Sequence, residues 1–165
     1  MTKTALTLTD HVHRLYPLPG VEPILLRLQD EYGLDVLLLL VACWLAGRGQ
    51  PVEGTDWTSI CAEQRPAHQR VIMHLRAARR AVAEHDRDTE LYAMIKACEQ
   101  AAEWQQLERL GVFCEGMGVV LSDPVSPDAQ LFASCEAQGV EVSASVSRLL
   151  AELAGLVTRQ IRMKR

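Results

Sequence analysis

Leu34-Asp35-Val36-Leu37-Leu38-Leu39-Leu40-Val41-Ala42-Cys43-Trp44-Leu45-Ala46 is the most apolar run of the chain, 13 residues with one acid near its start. A bilayer span needs about 20 such residues, so the run is read as a core helix. It is apolar on every side, and a helix without a polar face must be covered on most of its surface. Gly33 before it suits a left-handed residue closing the previous helix. Asp35 supplies an acceptor and a negative charge where a helix N-terminus wants both. The expected centre of the protein is therefore a single buried helix over 34–46.

Outward from this run the pattern stays helical. Sustained alternation of period two is missing, and so are the Asn-Gly and Asp-Gly dipeptides of tight hairpins. Thr9 or Asp10 is expected to cap a first helix, ended by Pro17 and Pro19. Pro23 fits the first turn of a second, which buries Ile24, Leu25 and Leu28. Asp56 or Thr55 opens the next element, interrupted near Pro66. A helix over 67–84 puts Val71, Leu75, Ala78 and Val82 on one face, and a longer one runs from about Thr89 to Leu110. Its stripe is Leu91, Met94, Ile95, Cys98, Ala101 and Ala102. Gly111 to Ser126 reads as a loop, with an extended piece at 119–121. Ser126-Pro127-Asp128 starts a helix that ends at Gly139, and a last one over 143–163 packs Val146, Leu149, Leu150, Leu153, Leu156, Val157 and Ile161.

The expected fold is all-α: one domain spanning 1–165, an irregular or orthogonal bundle of about six or seven helices around the 34–46 helix. Fraying is expected at 1–8 and 163–165. A chain of 165 residues buries enough surface to need no staples. The five cysteines are odd in number and contain no C-x-x-C pair, which argues against disulfides and zinc fingers. Cys43 and Cys98 are expected to be small buried hydrophobes. The N-terminus has no apolar core for a signal peptide. A cytoplasmic protein that does not enter membranes is expected.

Three stretches carry a resemblance. The first is Pro19-Gly20-Val21-Glu22, Leu28-Gln29-Asp30 and Gly33-Leu34-Asp35-Val36 running into Trp44-Leu45-Ala46. The second is Val71 to Arg80, with Leu75-Arg76 and Arg79-Arg80. The third is Lys96-Ala97-Cys98-Glu99 with Ala102-Glu103. Over roughly residues 10 to 110 the chain resembles a family of small, uncharacterised, all-helical bacterial proteins, a domain of unknown function. It departs from that family's pattern at Leu37, where the family is expected to carry Asn, and at His74, where Pro is expected. The resemblance implies a helical fold and brings no catalytic residues.

Candidate chemistry is sparse. His11 and His13 are two apart and cannot share a helical face. H-E-x-x-H, the Glu-x-x-His of di-iron bundles, a nucleophile elbow and a phosphate loop are all missing. No catalytic residue, metal ligand or cofactor is expected, and enzymatic activity is not the leading reading. Formal net charge is -4, so no global basic field draws nucleic acid. That average hides an acid-free segment between Glu63 and Glu84, where Arg65, Arg76, Arg79 and Arg80 gather on one face. Such a face is usually solvated or internally paired, here with Glu99 and Glu103 on the next helix. Read functionally, it docks an acidic protein partner or RNA, because arginine makes bidentate contacts with carboxylate and phosphate. On the docking reading, reversing Arg76 and Arg80 to Glu leaves the fold intact.

The leading expectation is thus a non-catalytic binding protein of adaptor or regulatory type, with an RNA- or ribosome-associated factor as alternative. A second alternative is a small-molecule-binding protein or enzyme with a pocket between helices, using His74, Glu99 or Glu103. The sequence leaves the oligomeric state open. Trp104 is the one indole expected at the surface, so stacking of bases along a platform is disfavoured.

Overall fold

The computed structural model describes residues 6–50, 52–117 and 123–163. Among them it contains α-helices and no strand: α1 (Leu8–Leu15), α2 (Val21–Tyr32), α3 (Val36–Arg48), α4 (Gly54–Ala67), α5 (Met73–His85), α6 (Glu90–Glu115), α7 (Asp128–Ala137) and α8 (Ala144–Arg162). A π-helical turn, His68–Ile72, joins α4 to α5, so these two form one continuous rod. The all-α bundle expected from the periodicity is the fold observed.

The apolar run forms α3, and every side chain from Val36 to Ala46 is buried. Helices α1, α2, α4, α6, α7 and α8 all touch it, which is how a helix without a polar face avoids water. Asp35 caps it, Oδ1 accepting from the Leu37 amide at 3.0 Å. Gly33, at φ +69°, closes α2 in the left-handed conformation that glycine adopts without a Cβ penalty. The two buried indoles find polar partners, as buried tryptophans must. Trp44 Nε1 donates to the Leu6 carbonyl at 2.8 Å, and Trp57 Nε1 to Gln130 Oε1 at 3.2 Å. Helix α8 folds back over α2, α3 and α7, burying Val146, Leu149, Leu150, Leu153 and Val157.

Several boundaries differ from expectation, each for a local reason. Thr7 caps α1, its hydroxyl accepting from the Asp10 amide at 3.1 Å, so Thr9 and Asp10 lie inside the helix. Leu8, within the stretch expected to fray, is 1% exposed and belongs to the core. Glu53 opens α4 in a capping box with Asp56. Pro66 does not interrupt the chain there: α4 carries it and continues directly into the π turn. The loop expected over 111–126 begins later, because α6 continues to Glu115. Gly111 is no stop signal. A Cβ there would lie 3.2 Å from the Cβ of Leu8, so glycine lets α1 approach α6. The extended piece expected at 119–121 lies outside the described residues. Cys98 is exposed, unlike the four buried cysteines, and α5 has no fully buried residue. Helix α5 packs chiefly on α6, and Val71, on the π turn before it, is 46% exposed.

Candidate functional site

Helix α6 spaces Tyr92, Lys96, Glu99, Gln100, Glu103, Trp104 and Leu107 three or four residues apart, which places them on one face. That face forms one wall of a cleft of about 460 Å³. Helix α5 adds Arg76 and Arg79, α2 adds Glu22, Leu26 and Gln29, and α1 adds Val12, His13 and Tyr16. The first turns of α3 supply an apolar floor of Val36, Leu37 and Leu40. The volume falls within the range of about 300–1,000 Å³ usual for small-molecule sites.

An ion network crosses the α5–α6 seam at this wall. Arg76 donates from Nε to Glu99 Oε1 at 3.2 Å and from Nη2 to Glu103 Oε1 at 3.1 Å. Arg79 donates from Nε to Glu99 Oε2 and reaches Oε1 from Nη2 at 3.4 Å. The side chains of Arg76 and Glu99 are only 12% and 7% exposed, and that of Glu103 is 27% exposed. Buried charges of this kind persist only when paired and hydrogen-bonded.

The electrostatics are uneven along the cleft. The Glu99 hydrogen bond holds the Arg79 pKa above its ordinary value, with Tyr92 as a further partner. Burial pushes the Glu103 carboxyl up from 4.5; repulsion from Glu99 adds to this, and the nearby Arg76 only partly offsets it. Tyr16 is pushed up to about 12, first by burial and then by the negative charges of Glu22 and Glu103. At the same end His13 stacks on Trp104, with ring centroids 4.2 Å apart and planes 14° from parallel. The His13 ring is oriented by Nδ1, 2.9 Å from the Thr9 carbonyl.

A polar junction lies behind the floor. Asp35 Oδ2 accepts from Gln64 Nε2 at 2.7 Å and sits 3.1 Å from His68 Nδ1, on the π turn. The Asp35 amide donates to Gln138 Oε1 at 2.7 Å. The N-cap of α3 is thereby tied to the α4–α5 rod and to the end of α7.

The sequence candidates separate accordingly. Glu99 and Glu103 line the cleft together. His74 does not line it; the side chain sits exposed on α5. The arginine face divides: Arg76 and Arg79 turn inward and are paired, Arg80 bonds Asp30 at 2.6 Å on the surface, and Arg65 is exposed on α4. Trp104, expected at the surface, is half-buried against His13. Sequence reasoning missed Tyr16, Glu22, Tyr92 and Lys96. The three-and-four spacing of large polar residues along α6 was a usable signal for Tyr92 and Lys96. Nothing local marks Tyr16 or Glu22, which reach the cleft only through the packing of α1 and α2. Among the described residues no group of three or more His, Cys, Asp or Glu side chains is arranged to hold a metal ion. No helix among them is long and apolar enough to cross a membrane.

Fold and site together define a helical protein with an ion-lined cleft between its helices. The chain belongs to the family described as "Protein of unknown function (DUF2390)", whose model matches residues 7–110. That span carries α1 to α5 and most of α6, hence every residue named in the cleft. No curated protein and no solved structure matches the chain.

Proposed function

We propose that this protein binds a small organic molecule in the cleft between α1, α2, α3, α5 and α6. One observation carries the reading: a cavity with an apolar floor has a wall of paired, largely buried charges, which is the make-up of small-molecule sites. Fixed polar groups orient a ligand there while the floor supplies apolar contact. The adaptor reading is less favoured, because the two central arginines of its docking face spend their donors on Glu99 and Glu103.

Native mass spectrometry of the protein purified from its own host tests this. A bound small molecule is expected with the unaltered chain. Gln100→Trp places an indole at the cleft from an exposed position on α6, so it should expel that molecule and leave the melting temperature of the empty protein unchanged. Retention of the molecule by Gln100→Trp, or its absence from the unaltered protein, overturns the reading.

A further inference from the structure

We propose that the cleft takes an ω-amino acid-like ligand, with an ammonium head between Glu22, Glu103 and Tyr16, a methylene body over Leu37 and Leu40, and a carboxylate at Lys96. This inference rests on the ligand-binding reading above and adds a chemical class to it.

The head group follows from the charge distribution. Glu99 absorbs both guanidiniums of the wall, leaving Glu103 with a share of Arg76 alone. Glu22 approaches the same end from α2 and makes no ion pair or hydrogen bond among the described residues. The Tyr16 hydroxyl lies in the field of both carboxylates. A negative end with a hydroxyl acceptor suits an ammonium group, which carboxylates pair with.

The tail follows from position. Lys96 lines the cleft two turns before Glu103 on the same face of α6, about 10 Å along the axis at the helical rise. Its ammonium also makes no ion pair or hydrogen bond among the described residues. The floor of the same cleft includes Leu37 and Leu40, 4% and 2% exposed. A ligand spanning the ends therefore needs opposite charges separated by an apolar chain.

Calorimetric titration of the full chain with three probes of matched length tests the class: ω-aminooctanoate, octylamine and octanoate. The expected order is ω-aminooctanoate tightest, octylamine next and octanoate weakest. Glu103→Gln and Glu22→Gln should each weaken both amines by roughly tenfold, the cost of losing a charged hydrogen bond. Glu22 is exposed, so its variant keeps the test clear of folding defects. Lys96→Gln should abolish the advantage of ω-aminooctanoate over octylamine without weakening octylamine. The Trp104 indole N–H resonance should shift on titration. Octanoate binding as tightly as the amines overturns the class, as does amine binding that ignores both Glu→Gln changes. If all three probes fail while Gln100→Trp still expels the host-derived molecule, the class is wrong and the cleft remains a ligand site. Retention of that molecule by Gln100→Trp refutes the cleft itself.

Discussion

Arg76 donates from Nε to Glu99 Oε1 at 3.2 Å, joining the first turn of α5 to the N-terminal half of α6. The bond turns a charge stripe that looks like an external surface into the inner wall of a cleft. The same guanidinium holds Glu103, so one side chain organises both carboxylates.

Reversal of Arg76 should consequently be costly, whereas a docking surface would tolerate it. Arg76→Glu places a third carboxylate beside two that are already largely buried. Breaking a buried pair from one side costs about 3 kcal/mol or more. Arg80→Glu disturbs only the half-exposed pair with Asp30, and such pairs contribute about 1 kcal/mol or less. Urea denaturation of the two variants should show a large drop for the first and a small one for the second.

Glu103 should make stability pH-dependent in a defined direction. Its folded pKa lies above the ordinary 4.5 because of burial and then Glu99. As pH rises past 4.5 the unfolded chain loses this proton first. The folded state then holds more protons than the unfolded state, so stability falls as pH climbs through the folded value. Glu103→Gln removes the contribution. Melting curves should therefore show the unaltered protein losing ground to Glu103→Gln between mildly acid pH and neutrality.

Thiol chemistry should distinguish Cys98 from the rest. Burial pushes Cys43 and Cys114 up to about 12 and Cys135 to about 11, and Cys61 is also raised. Buried thiols with so little thiolate react slowly. Ellman's reagent at neutral pH should titrate one thiol, Cys98, in the folded protein and all five in denaturant. Cys98→Ser should leave no fast-reacting thiol.

Asp35 should be among the least replaceable polar residues. It caps α3 and accepts from Gln64, both in buried surroundings. Asp35→Ala strands the Leu37 amide and the Gln64 side-chain amide, for a loss of about 2 kcal/mol or more. Asp35→Asn keeps an acceptor for the cap and should lose less. Chemical denaturation of both variants measures the difference.

The central helix was legible because its pattern is self-contained: an unbroken apolar run, one capping acid and a glycine before it. Helices α7 and α8 were legible for the same reason, each carrying its own start signal and the last its own stripe. Glu99 and Glu103 stood out against an acid-free arginine segment one helix earlier. The continuity through Pro66, the extension of α6 past Gly111 and the exposure of Cys98 were not legible. Each depends on what lies alongside: a π turn that carries the rod on past Pro66, Leu8 pressed against a bare Cα, a solvent-facing side of α6.

What the sequence by itself determined is an all-helical chain with α3 at its centre, since hydrophobic periodicity and capping act over a few residues. What only the tertiary structure decided is the sense of the charged face. Whether Arg76 and Arg79 meet solvent or Glu99 depends on how α5 rotates against α6. That rotation is set by burial and charge pairing summed over both helices, together with the α1 and α2 residues that close the cleft around them.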